Sequence, residues 1–202
     1  MKDTFRKSIH WSVGIAVITF VLAAIFSIVS TYLLNGVTWA VGMVIVFVIV
    51  LIGVFFDMLG VAATAAEEAP FHAMASEKVK GAKQSILIIR NADRFANFCN
   101  DVIGDISGII SGTASAIVLI QLSIRLNLKE DGIYQFIISI LFTSIVAALT
   151  VGGKSIGKTI AIQLSTYIIF QVGKVFYFLE SRFNIKIIKD NREKKKKKTK
   201  RK

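Results

Sequence analysis

The stretch WSVGIAVITFVLAAIFSIVSTYLLNGVTWAVGMVIVFVIVLIGVFF, residues 11–56, contains no charged side chain. The pair Asn35-Gly36, typical of a tight turn, divides it into two apolar runs, residues 11–34 and 37–56. At about 1.5 Å per residue, each run is long enough to cross roughly 30 Å of hydrocarbon as a helix. The stretch therefore predicts two membrane-spanning helices joined as a hairpin.

The composition of the whole chain agrees with this prediction. Of its 202 residues, 54% are apolar and one is a proline, and the formal net charge is +12. These values are typical of a membrane protein and not of a soluble α/β domain. A single cysteine, Cys99, excludes an internal disulfide. Two histidines, without a C-x-x-C or H-E-x-x-H motif, leave nothing from which to build a zinc site.

Two further apolar runs, residues 96–124 and 135–151, predict a third and a fourth span. Between the second and third spans, apolar residues recur at helical spacing among lysines, which predicts an interfacial helix at about residues 76–90. The predicted fold class is therefore all-α, an integral membrane helical bundle. It forms one transmembrane domain over residues 1–183, with about four spans and interfacial juxtamembrane helices.

The last apolar segment, residues 158–183, is interrupted by two glutamines and a lysine, so it fits either a fifth crossing or an interfacial helix. The tail after it, residues 184–202, is the most basic part of the chain, and a fifth crossing would export it. Because cytoplasmic segments of membrane proteins are enriched in lysine and arginine, we predict four spans with both termini in the cytoplasm. We expect the tail to be disordered and to attract anionic lipids of the cell membrane.

The third predicted span carries polar side chains, which are Asn100, Asp101, Asp105 and Ser107. A charged residue within a span costs about 2.5–3.5 kcal/mol on insertion scales and usually faces protein, water or an ion. Asn100 and Asp101 also fit the membrane interface, where they would need no special role. Asp105, one turn deeper, fits a functional or a structural role equally well.

The stretch VGGKSIGKTIA, residues 151–161, matches the phosphate-binding pattern G-x-x-x-x-G-K-[ST]. That pattern binds nucleotides only where a buried strand leads into the loop and a helix leaves it. Here a predicted membrane helix precedes the pattern, and no second carboxylate motif follows an apolar strand. We therefore expect neither a nucleotide cofactor nor an enzyme.

Two stretches resemble the transmembrane domain of the CNNM/CorC (CorB) magnesium transporter family. KGAKQSILIIRNADRF, residues 80–95, is similar to its juxtamembrane signature ending in N-P-D-R-F, with Ala92 in place of the proline. GKSIGK, residues 153–158, is similar to its G-E-x-x-P-K motif, with Lys154 at the glutamate position. The resemblance covers roughly residues 38–183, and we expect the family's cytosolic CBS and C-terminal domains to be lacking.

This resemblance implies a divalent-cation (magnesium/cobalt) transporter with a polar cation site among its helices. Oxygen atoms are the ligands that Mg²⁺ prefers, and the candidates here are Asp57, Asn100, Asp101, Asp105 and Ser107. We expect Lys154 to pair with Asp57 or Asp105 inside the bundle, where its ammonium would occupy the place of the cation.

If Lys154 does replace the ion, the alternative function is a non-transporting membrane scaffold or regulatory subunit. As partners we expect the lipid bilayer, anionic lipids through the basic tail, and no nucleic acid. The resemblance is also compatible with a homodimer in the membrane.

Overall fold

A computed structural model describes residues 2–126 and 132–183. Within these residues the chain is helical with no strand, which confirms the predicted all-α fold class. The basic tail, residues 184–202, lies outside the described residues. In chain order the elements are α1 (Lys2–Asn35), α2 (Trp39–Ala65), α3 (Ala69–Ser76), α4 (Ala82–Arg90), α5 (Ala92–Asn97), a π-helical segment (Phe98–Gly104), α6 (Asp105–Arg125), α7 (Ile133–Gln163) and α8 (Ser165–Phe183).

Four helical stretches are long and apolar enough to cross a membrane: Ser12–Asn35, Trp39–Ala65, Ala92–Arg125 and Ile133–Gln163. Large apolar side chains such as Phe20 on the first of them are exposed on the protein surface. An apolar surface of this kind is stable in contact with lipid and unfavourable in contact with water. The chain is therefore a membrane protein by the length and composition of its helices.

Two of the spanning helices continue beyond the apolar runs that predicted them. Helix α2 ends at Ala65 and not near residue 56, and α7 ends at Gln163 and not near residue 151. An apolar run marks where a helix is able to contact lipid, whereas the backbone remains helical for as long as helix-forming residues continue. The alanine-rich sequence after Asp57 is such a continuation.

The interfacial helices are shorter than predicted, for a local reason. The prediction places one helix at about residues 76–90, but α4 begins at Ala82. Lys78 and Gly81 have positive φ angles of 58° and 93°, which an α-helix does not accommodate. The other predicted helix, residues 158–183, is divided between the end of α7 and α8.

Contacts between Cα atoms divide the chain into two compact units. The first unit comprises residues 1–56 and 100–156, and two clusters of buried residues form its core. In one cluster Leu34 packs with Val118 and other residues of α2 and α6. In the other, α1 packs against the buried face of α6 around Ile106. Gln121 donates a hydrogen bond to the Leu34 carbonyl at 2.9 Å, which ties α6 to the end of α1.

The described residues of the second unit are 57–99 and 157–183, and their core lies among α2, α3, α4, α7 and α8. Phe71, Ile88 and Ile169 are fully buried there. Helices α4 and α8 cross so closely that a Cβ atom on Gly173 would collide with Ser85 Oγ and the Gly81 carbonyl. Only glycine fits at this crossing.

Candidate functional site

The third candidate span changes from α-helical to π-helical geometry at Phe98–Gly104, between α5 and α6. The segment carries two of the predicted cation ligands, Asn100 and Asp101. Asn100 Oδ1 is buried and has no hydrogen-bond partner among the described residues, whereas Asp101 is exposed. π-Helical turns occur often at functional sites. The sequence does not predict this turn, because apolar spacing does not distinguish a π-helical turn from an α-helical one.

In the first unit, the structure brings Asp105 together with Lys154. Lys154 Nζ lies 3.7 Å from Asp105 Oδ1, which is one of the two pairings that the sequence predicts. The distance exceeds the usual 2.7–3.2 Å of an N–H···O hydrogen bond, so the contact is an ion pair without a short hydrogen bond. Asp105 is two-thirds exposed on the protein surface and Lys154 is largely buried. The ammonium of Lys154 therefore supplies a positive charge beside Asp105.

Ser107 lies at a helix crossing of the same unit. It is buried on α6 beside Gly53 of α2, where a Cβ atom on the glycine would lie 2.8 Å from Ser107 Cβ. Small residues at such positions let the backbones of two membrane helices approach closely. The position of Ser107 is thus accounted for by packing.

Asp57 belongs to the second unit, where its partner is Lys158. Asp57 is only 5% exposed, and its Oδ2 has no hydrogen-bond partner among the described residues. Lys158 Nζ lies 3.9 Å from this oxygen. The sequence predicts Lys154 and not Lys158 for this pairing, because the apolar run of the fourth span ends near residue 151. Had α7 been extended through the motif, the four-residue spacing of the two lysines would have placed both on one face.

The phosphate-binding pattern at residues 151–161 lies inside α7. Within a helix, each backbone N–H group bonds to a carbonyl four residues earlier, so these groups do not point towards a ligand. The strand, loop and helix that the pattern needs for binding phosphate are replaced here by one continuous helix. Helix continuity is also what orients Lys154 and Lys158 along α7.

Glu68 links α3 to α4 in the second unit. Arg90 Nε donates to Glu68 Oε2 at 3.1 Å, and His72 Nε2 lies 3.0 Å from the same oxygen. Within residues 2–126 and 132–183, no group of three or more His, Cys, Asp or Glu side chains is placed to hold a metal ion. A cation bound by Asp57 or Asp105 would therefore take further ligands from amide, hydroxyl, carbonyl or water oxygens, as Mg²⁺ commonly does.

The geometry thus presents two carboxylates, Asp57 and Asp105, each with an ammonium at ion-pair distance on α7. Carboxylates in spanning helices usually mark the path of an ion or a structural ion pair. Comparison with known protein families, with curated proteins and with solved structures finds no match to this chain.

Proposed function

We propose that the chain is a membrane transport protein for a divalent cation, with Mg²⁺ as the first candidate and Co²⁺ as the second. One observation carries this proposal. In the described part of the chain, three buried side-chain oxygens lack a hydrogen-bond partner, and they are Asp57 Oδ2, Asn100 Oδ1 and Gln121 Oε1. Two of them belong to predicted cation ligands. Each such orphaned oxygen calls for an explanation, and a cation bound at that oxygen is one.

The order of the elements also supports the proposal. A spanning helix, α2, is followed by α4, which carries the stretch that resembles the family's juxtamembrane signature. A polar span with a π-helical turn comes next, then α7 with the G-E-x-x-P-K-like motif, and then α8. This order is the one that the resemblance to the CNNM/CorC transmembrane domain implies. As part of the same proposal, the protein lies in the cell membrane with both termini in the cytoplasm, works as a homodimer, and binds anionic lipids through its tail.

The test is cation flux into liposomes that contain the full chain and a Mg²⁺-sensitive dye. We expect uptake that depends on the protein, is lost in Asp57→Asn and is retained in Lys83→Met, which removes one exposed charge elsewhere in the second unit. Size-exclusion profiles establish that each variant is folded. Wild-type liposomes that take up neither Mg²⁺ nor Co²⁺ would contradict transport.

A second candidate function is a non-transporting scaffold or regulatory subunit, and the ion pair at Lys154 favours it. With Lys154 Nζ 3.7 Å from Asp105 Oδ1, the place of a cation is already taken by an ammonium. In this alternative, wild-type stability does not depend on Mg²⁺.

The Lys154→Glu variant separates the two candidates. It sets a second carboxylate near Asp105, and two like charges this close repel each other unless a cation lies between them. For the scaffold, we expect the variant's unfolding temperature to rise with added Mg²⁺ and that of the wild type to stay constant. A wild type that Mg²⁺ stabilises strongly, with Lys154→Glu stabilised no more, would place the lysine outside the site and favour transport.

A further inference from the structure

Asp57 is a carboxylate in a region from which water is largely excluded. It directly follows the uncharged run 37–56 on α2 and is only 5% exposed. Burial of an ionised carboxylate is unfavourable unless a positive charge or hydrogen-bond donors compensate it. Since its Oδ2 has no hydrogen-bond partner among the described residues, compensation at this atom comes from charge.

The compensating charge is Lys158, and the contact is a loose one. Its Nζ lies 3.9 Å from Asp57 Oδ2, well beyond hydrogen-bond distance. The lysine side chain is 52% exposed, so its ammonium keeps part of its hydration while it neutralises the carboxylate. A lysine has a flexible four-carbon stem and a compact charge, so its ammonium can move into water when another cation takes its place. The buried carboxylate has no comparable freedom.

A loose counter-ion of this kind suits an exchangeable site. A divalent cation brings twice the charge and binds oxygen directly, at about 2.0–2.1 Å for Mg²⁺, so it competes well with an ammonium that makes no hydrogen bond. From this geometry we infer that Lys158 is a tethered ammonium that occupies the cation position at Asp57 and sets how tightly a divalent cation binds there. The inference rests on the proposed function, since it names the side chain that regulates that site.

The experiment measures Mg²⁺ binding to the detergent-solubilised full chain by isothermal titration calorimetry. Lys158→Met keeps the length of the side chain and removes its charge, so we expect Kd for Mg²⁺ to fall by about tenfold or more. In Lys158→Arg the competing charge remains, and we expect Kd to equal or exceed that of the wild type. Lys83→Met, which removes an equal charge from an exposed position of α4, should leave Kd unchanged.

A double variant assigns the gain to Asp57. In Asp57→Asn/Lys158→Met both charges are absent, so the tightened binding of Lys158→Met should disappear while the fold is retained. If Lys158→Met folds only in the presence of Mg²⁺, the cation has replaced the ammonium, which also supports the inference. A folded Lys158→Met whose Kd is unchanged or raised would overturn it. A Lys158→Met variant that remains unfolded with and without Mg²⁺ would also overturn it, because Lys158 would then stabilise the fold in a way that a cation cannot replace.

The binding experiment tests the role of Lys158, and the flux experiment tests transport, so the two proposals can be contradicted separately. If Lys158→Met binds Mg²⁺ more tightly but wild-type liposomes show no uptake, the role of Lys158 stands and transport is wrong. If uptake requires Asp57 but Lys158→Met binds Mg²⁺ no more tightly, transport stands and the role of Lys158 is wrong.

Discussion

Lysine at position 154 gives this chain a different charge from the glutamate of the family motif that it resembles. A glutamate there would add a negative charge near Asp105 and attract a cation, whereas Lys154 Nζ lies 3.7 Å from Asp105 Oδ1 and neutralises it. The charge of a lysine sits at the end of a flexible four-carbon chain, so its ammonium can change position without movement of the backbone. The residue type at position 154 thus sets the sign of the charge beside Asp105.

At the residue scale, Gly53 offers a test of the helix crossing that places Ser107. A Cβ atom on Gly53 would lie 2.8 Å from Ser107 Cβ, an atom too close to the backbone to move aside. We expect Gly53→Ala to destabilise the protein by about 1–3 kcal/mol, the usual cost of overpacking, and to lower its unfolding temperature in detergent.

Gly112→Ala is the matched control, because nothing lies within 4 Å of a Cβ atom at that position of α6. Alanine favours a helix over glycine by roughly 0.5–1 kcal/mol, so the control should unfold at the same or a higher temperature. Equal unfolding temperatures for both variants would mean that α2 and α6 do not approach as described.

Residue chemistry allowed part of the candidate site to be predicted. The pairing of Lys154 with a carboxylate follows from the cost of leaving either charge alone in a membrane, and the structure has it with Asp105. The sequence alone did not predict the partner of Asp57, because Lys158 can be chosen only if α7 is known to continue through residues 151–161. Charge balance predicts that a pair exists, and helix geometry decides which residues make it.

At the scale of elements, the hydrophobic runs located all four candidate spans but misplaced several helix ends. Apolar runs indicate which residues can contact lipid, but they do not determine where the backbone leaves the helical conformation. The start of α4 depends on the left-handed conformation of Gly81, and no local sequence pattern predicts the π-helical segment Phe98–Gly104. The packing of α1 against α6 also had no sequence signal, since the resemblance begins only near residue 38.

The crossing of α4 and α8 leads to a prediction about the second unit. Gly173→Ala would drive a Cβ atom into Ser85 Oγ, which donates a hydrogen bond to the Ile169 carbonyl at 3.1 Å, and into the Gly81 carbonyl. Since a backbone carbonyl cannot rotate away as a side chain can, we expect α4 and α8 to separate locally.

Cys99 serves as a probe for opening of the second unit. It is buried in the same unit and is the one cysteine of the sequence, so a thiol-reactive dye labels it only when the unit opens. Gly173→Ala should be labelled faster than the wild type. Gly152→Ala, where no atom lies within 4 Å of a Cβ atom, should be labelled at the wild-type rate. Equal labelling rates for Gly173→Ala and the wild type would show that the crossing tolerates a methyl group.

At the scale of the whole molecule, the surface is unusual for the distribution of its apolar side chains. Large apolar residues remain exposed along α1, α2 and α7, which are three of the candidate spans. The salt bridge of Arg90 with Glu68, by contrast, joins α4 to the residue before α3, outside the candidate spans. The exposed apolar side chains are stable in contact with lipid, and the charged pair is stable in contact with water. This is the expected arrangement for spans joined by interfacial helices.

The number of spans predicts the membrane topology of the chain. With four crossings, the segment after α7 would return to the side of the N-terminus, and the lysines and arginines of residues 57–95 predict that this side is cytoplasmic. In a Cys99→Ser background, a membrane-impermeant maleimide added to intact cells should label Gly36→Cys, in the turn between α1 and α2. It should label Lys83→Cys, and cysteines added at Met1 and Lys202, only after the cells are opened. Labelling of the two termini from opposite sides would mean that α8 crosses the membrane. The tail would then be exported, against the charge rule from which the four-span topology was derived.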